Sequence, residues 1–142
     1  MKALLVNGSP HPRGCTYTAL TELKNTLEAE DIEVELLHVG NKDIRGCIAC
    51  RKCAQTGKCV FDDVVNEVAP KLAEAGAFVI GCPVYFASPA GGAISFMDRL
   101  FFSTLGIDKT MKVGAAVVTC RRGGNTATFD VLNKYFTMTG MP

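Results

Sequence analysis

The sequence predicts an α/β fold in three layers, a doubly wound parallel sheet with helices on both faces. Three observations predict it. Short runs of strand formers alternate with longer runs of helical periodicity in the order β-α-β-α-β-α-β-α, which implies parallel strands joined by right-handed crossovers. The run AFVIG from Ala77 to Gly81 has no polar residue, as expected of a strand buried on both faces. The first strand runs into a glycine-bearing loop ahead of a helix, and sheets of this kind bind ligands at the carboxyl ends of their strands.

The elements follow in order. Ala3 to Val6 is a short apolar strand ended by Asn7-Gly8. Thr16 to Glu30 carries Leu20, Leu23 and Leu27 at helical spacing. Glu33 to Val39 alternates as a second strand. Asp62-Asp63 supplies an N-cap for a helix through Val64, Val65, Val68 and Leu72, and Pro70 within it predicts a kink or a restart. After the AFVIG strand, Ser88-Pro89 reads as an N-cap with a first-turn proline. The helix it opens has Ile94, Met97, Leu100 and Phe101 on one side. Lys112 to Val118 is a fourth strand, and Asn125 to Thr137 a last helix with Phe129, Leu132 and Phe136 inward. A five-stranded sheet of this type needs a further strand, yet the chain stops at Met141-Pro142, before that expected fifth strand. Either the chain is truncated or the fourth strand is an exposed edge.

At 142 residues the chain fits one domain, 1–142, with a cysteine-rich loop at 46–59. Apolar residues make up 48%, enough for a real core. A net charge of +1 excludes long-range attraction to nucleic acid or an anionic membrane. No apolar run is long enough to span a bilayer, and MKALLVNG enters a strand with no signal peptide, so the expected location is the cytoplasm. The seven cysteines then point to thiols, metal or redox chemistry instead of disulfides.

The segment NGSPHPRGCTYTAL joins the first strand to the first helix. Gly8 and Gly14 let backbone amides approach an anion, Ser9 and Thr16 offer hydroxyls, and Arg13 offers charge. The helix N-terminus adds free N–H groups and the positive end of its dipole. Together they favour a phosphate, although an ordinary β–α loop with capping residues remains the plain alternative. Gly-Lys-Ser/Thr is absent and so is the dinucleotide fingerprint, which leaves ATP binding weakly supported.

Cys47, Cys50, Cys53 and Cys59 suit a tetrahedral metal or an iron–sulfur cluster. Zinc is the chemical rival, and an empty thiol cluster is the third reading. The loop from Gly46 to Lys58 has few apolar residues, so metal ligation is expected to order it. Cys82 reads as a small core residue, and no histidine stands beside Cys15, Cys82 or Cys120 to activate a nucleophile. No catalytic residue is assigned.

Four segments, NGSPHPRGCT, GCIACRKCAQTGKC, GCPVYFASPAGGAISFMDR and VVTCRRGGNT, fall in the order found in the NADPH-dependent FMN reductase family. The chain resembles that flavodoxin-like family, and most closely its iron–sulfur flavoprotein branch. The resemblance implies that FMN phosphate is held at Ser9, Arg13, Cys15 and Thr16. Cys15 departs from the asparagine usual before that threonine, which leaves only its backbone amide as a donor. The resemblance also places Pro83, Val84, Tyr85, Phe86 and Ser88 beside the flavin ring, where a rigid turn and two aromatics suit an isoalloxazine. Core packing of Tyr85 and Phe86 is the alternative, and Ser88 either caps the next helix or bonds the ligand. The loop holding Thr119, Arg121, Arg122 and Gly124 would touch the pyrimidine side. There Arg121 or Arg122 would balance negative charge on the flavin, meet the phosphates of NADPH, or simply lie in a solvated turn.

The implied activity is an FMN-dependent oxidoreductase, fed by NAD(P)H and passing electrons to a small-molecule or protein acceptor. The cysteine spacing resembles the compact motif of a 4Fe–4S cluster, which would split the electron pair. An electron carrier without reductase activity and a metal-stabilised interaction module are the alternatives. A homodimer or higher homo-oligomer is expected, because Phe96, Phe101 and Phe102 cannot all reach one core.

Overall fold

The computed structural model describes residues 1–142. Four strands run parallel: β1 (Lys2–Asn7), β2 (Glu33–His38), β3 (Ala77–Tyr85) and β5 (Val113–Thr119), side by side in the order β2-β1-β3-β5. Register is in step at the core, with Val6 opposite both Leu37 and Ile80. Between β3 and β5 the chain makes a two-residue strand, β4 (Ser88–Pro89), antiparallel to the end of β3. The helices are α1 (Cys15–Ala29), α2 (Lys52–Thr56), α3 (Val64–Glu74), α4 (Gly91–Ser103) and α5 (Asn125–Met138).

Side-chain alternation along β1 sorts the core into two layers. Leu4 and Val6 face a large cluster with Phe78 and Ile80 of β3 and with Leu72, Phe96, Met97, Leu100, Leu132 and Phe136, drawn from α3, α4 and α5. Ala3 and Leu5 face the other way, onto Val79 and Leu20 of α1. Leu20 is fully buried, worth about 1.5–3 kcal/mol to the docking of α1. Helices therefore cover both faces, as the alternation predicted. The chain leaves β1 toward β2 on one side and returns toward β3 on the other. The switch point of the sheet lies between β1 and β3, and the carboxyl ends of the strands at such a point are where sheets of this kind bind ligands.

Several local expectations are corrected. Ser88-Pro89 is not the start of α4. β3 continues past Gly81 to Tyr85, Phe86 and Ala87 turn at positive φ (+48° and +60°), and Ser88 pairs back on Tyr85. That hairpin keeps Ser88 extended, so the N-cap falls on Ala90 and makes no side-chain capping bond. α3 runs unbroken through Pro70, because the buried stripe Val65, Val68 and Leu72 anchors it on both sides of the ring. Phe129 is 43% exposed, since the inward stripe of α5 is Thr128, Leu132 and Phe136, four residues apart. The sheet has a fifth strand, but it is β4 and not a C-terminal one. β5 is one of the two edges of the parallel sheet, and on its outer side Gly114 N donates to the Pro142 carbonyl at 3.0 Å.

Candidate functional site

The three loops singled out in the sequence meet at the carboxyl end of the sheet. The first leaves β1 at Asn7 and is tied down on several sides. Gly8 N donates to Gly81 O at 2.8 Å, and a Cβ on Gly8 would press on that carbonyl and on Ala93 at 3.0 Å. Asn7 Oδ1 accepts from Ser9 N at 3.0 Å, and Ser9 Oγ accepts from His11 N at 3.2 Å. The Ser9 carbonyl stands 2.8 Å from His38 Nε2, and Gly40 passes so close that a Cβ there would lie 2.2 Å from the same oxygen. The loop is thus held in shape from the end of β2 as well as from β3.

The loop ends at Gly14, the N-cap of α1, which makes no side-chain capping bond. The first-turn amides have no acceptor within the helix and face the loop. Asn7 Nδ2, at the start of the same loop, is buried and has no hydrogen-bond partner. A buried orphan donor in a loop that ends on free helix amides suits an anion, because unpaired buried polar groups are rare and costly. Ser9 and Thr16 are buried, whereas Arg13 and Cys15 are exposed on the rim.

The third loop is locked to the first at one point. Thr16 Oγ1 and Thr119 Oγ1 are 2.8 Å apart, joining the start of α1 to the last residue of β5. The same loop is locked to the hairpin at another. Gly124 has φ +90°, and a Cβ on it would lie 2.4 Å from Ala87 Cα, so only glycine lets the β5–α5 loop touch the hairpin tip. Pro83 and Val84 are half-buried on β3, while Tyr85, Phe86 and Ser88 are exposed around that tip, with Phe86 in full contact with solvent. Neither aromatic packs into the core. Arg121 and Arg122 are exposed in the third loop.

A second candidate site lies apart from these loops in the sequence. Cys47, Cys50, Cys53 and Cys59 line one cavity of about 400 Å³, together with Arg99, Phe61 and Phe102. The thiols wall the cavity without meeting at a point, and no three His, Cys, Asp or Glu side chains stand close enough to hold a single ion. Ala49 and Arg51, on either side of Cys50, take positive φ (+52° and +57°), a strained state for residues with a Cβ. Ala49 N donates to Cys47 Sγ at 3.4 Å. All seven cysteines are free, and burial pushes the Cys82 thiol up to about 11.

Three positions escaped the sequence reading. His38 and Gly40 shape the first loop from β2; their signal is the register, which puts His38 opposite Asn7. Arg99 is a charge inside the apolar stripe of α4, between Phe96 and Leu100. A charge in such a stripe must have a buried partner. It donates to Asp63, Cys59 and two carbonyls; burial works against its charge, but the bonds to Asp63 and Cys59 outweigh that and raise its pKa.

An iron–sulfur flavoprotein of Methanocaldococcus jannaschii is 34% identical over 143 aligned positions, covering 99% of this chain and 74% of that one. An iron–sulfur flavoprotein of Archaeoglobus fulgidus is 34% identical over 127 positions, covering 87% of this chain and 62% of its own length. Among solved structures, an NADH:FMN oxidoreductase superposes with a TM-score of 0.70 at 20% identity, over 99% of this chain and 70% of that one. A flavodoxin from the domain Archaea does so with a TM-score of 0.65 at 17% identity, over 100% and 77%. These two show that the fold is flavodoxin-like. The family model described as NADPH-dependent FMN reductase matches residues 1–142, and the chain belongs to that family.

Proposed function

We propose that the chain binds FMN across its three loops and acts as an NAD(P)H-dependent oxidoreductase. The observation that carries this is the joining of all three loops at the sheet's switch point, through the Thr16–Thr119 bond and the Gly124–Ala87 contact. The residues present fit the cofactor. Free amides at the start of α1, the orphaned Asn7 Nδ2 and the charge of Arg13 suit the FMN phosphate, with the buried Ser9 and Thr16 in the same loop. The amide of Cys15 is one of those first-turn donors, so the loss of an asparagine side chain removes one contact and leaves the backbone one. Pro83, Val84, Tyr85, Phe86 and Ser88 on one side, and Thr119, Arg121 and Gly124 on the other, would flank the ring.

Bound FMN would supply the redox chemistry, taking a hydride from NAD(P)H and releasing electrons to a small-molecule or protein acceptor. The protein's own part is placement and electrostatics. The rigid first loop fixes the phosphate end, so the ring end is set by the hairpin. The exposed rings of Tyr85 and Phe86 offer apolar faces, and Arg121 and Arg122 bring positive charge to the open side. No proton-transfer residue is required.

We further propose that Cys47, Cys50, Cys53 and Cys59 hold a 4Fe–4S cluster, which would supply one-electron steps. Four soft thiols lining one cavity are the ligand type such a cluster takes. The amide directed at Cys47 Sγ is the kind of N–H···S bond that supports such a centre. The proposed location is the cytoplasm, in keeping with seven unbridged cysteines; no helix is long and apolar enough to cross a membrane. A homodimer is proposed from the exposure of Phe102, Leu105 and Met138, and light scattering that gives a monomer at micromolar concentration would exclude it.

The test is anaerobic mixing of the FMN-loaded protein with NADH or NADPH. Bleaching of the flavin absorbance by either nucleotide is the expected result. A bound flavin that neither nucleotide bleaches would make the protein an electron carrier and refute the reductase.

A further inference from the structure

Arg99 is 1% exposed, and a guanidinium so buried must have its donors satisfied. Asp63 takes two of them in a bidentate pair, with Nη1 at 2.6 Å from Oδ2 and Nη2 at 2.9 Å from Oδ1. The carbonyls of Phe61 and Arg45 accept at 3.2 and 3.4 Å. The remaining contacts go to sulfur: Nε and Nη2 each donate to Cys59 Sγ at 3.2 Å. Two N–H groups of one side chain therefore converge on one thiol.

Cys59 is also pinned through its backbone. Asn66 Oδ1 accepts from Cys59 N at 2.9 Å, and Asn66 Nδ2 donates to Cys59 O at 3.0 Å. The guanidinium stacks over the Phe61 ring at 5.0 Å, and Arg45 stacks over it at 4.7 Å. None of the other three cysteines in the cavity receives a hydrogen bond from a side chain; Cys47 has one backbone amide. Cys59 is thus a preset ligand, and the more exposed Cys47 and Cys50 lie on a strained loop.

We propose that Arg99 is a positioning residue for the sulfur centre: it fixes Cys59 in place and, by donating two N–H groups to its sulfur, raises the reduction potential of the centre that Cys59 holds. The inference rests on the reading that the four cysteines carry an iron–sulfur cluster. Its physics is direct. Reduction adds negative charge to the centre and makes its sulfurs better acceptors. A charged donor on a ligating sulfur binds the reduced state more strongly than the oxidised one. Asp63 holds the far side of the guanidinium and offsets part of its charge. The two residues should therefore act on the potential with opposite sign.

The test is potentiometric titration of the anaerobically purified holoprotein, followed by the electron paramagnetic resonance of the reduced cluster. Arg99→Gln is expected to lower the midpoint potential. Asp63→Asn, which keeps a good N-cap for α3, is expected to raise it. Should Arg99→Gln fail to fold, Asp63→Asn and Arg99→Lys decide; the lysine keeps the charge without the planar fork and is expected to lower the potential, by less than the loss of the charge would. Variants with wild-type potentials, or shifts of one sign in both Arg99→Gln and Asp63→Asn, would overturn the proposal and leave Arg99 as a tie between α3 and α4. A wild-type protein that takes up flavin but assembles no cluster would overturn the cluster reading itself, and this inference with it.

Discussion

Thr16 and Thr119, 103 residues apart in the chain, share a hydrogen bond of 2.8 Å between their hydroxyls. It ties the N-terminal turn of α1 to the end of β5, so the proposed phosphate and ring contacts belong to one framework. Thr119→Val removes one hydroxyl and leaves that of Thr16, which is buried, without its protein partner. An unsatisfied buried hydroxyl costs about 1–3 kcal/mol. FMN titrated into the apoprotein, followed by quenching of flavin fluorescence, should show affinity weakened by about tenfold or more. Unchanged affinity would mean that the bond does not position the loop.

Gly124→Ala combines two penalties. Its φ of +90° disfavours any side chain, and the new Cβ would meet Ala87 at 2.4 Å. Strain of this kind costs about 1–3 kcal/mol before the hairpin moves. The urea midpoint should fall, and FMN affinity should fall with it because the tip carrying Tyr85 and Phe86 is pushed aside. Loss of stability with full FMN affinity would separate the hairpin from the site.

The hairpin also shows where sequence reading stops. The alternation of elements, the two-faced core and the three loops were legible, because strand periodicity and glycine turns are local signals. Ser88-Pro89 misled because a serine before a proline has the same composition in a hairpin as at a helix start, and only pairing with Tyr85 and Val84 distinguishes them. Phe129 was misplaced because one residue of rotation, about 100°, carries a side chain out of the core. His38 and Arg99 were silent because their partners, Ser9 O and Cys59 Sγ, are 29 and 40 residues away.

The cysteine loop should depend on its metal. Ala49 and Arg51 hold strained backbone, α2 buries no residue, and the segment contributes little apolar surface to the core. Ligation would offset that strain. Removal of metal by a chelator should make the segment between Gly46 and Lys58 the first site of proteolysis, while the sheet remains folded. Equal resistance with and without metal would show that the loop is ordered by the protein alone.

Cys82 makes a prediction about alkaline stability. It is fully buried, and burial raises its pKa from 9.0 to about 11. The raised pKa means that the unfolded chain loses this proton first. Stability from the neutral thiol is complete below pH 9 and is lost as pH rises through about 11. The rise from 9.0 to about 11 corresponds to about 2.7 kcal/mol at the alkaline limit. Urea midpoints measured from pH 8 to about 11 should fall more steeply for wild type than for Cys82→Ala. Parallel curves would contradict the assignment.

The three joined loops are proposed to hold FMN. The most direct measurement is the visible spectrum of the protein purified without oxygen, with the released flavin quantified and identified. The expected result is a flavin spectrum, one FMN per chain released on denaturation, and underlying cluster absorbance that disappears when iron is removed. A colourless protein that takes up no FMN when the cofactor is supplied would contradict it.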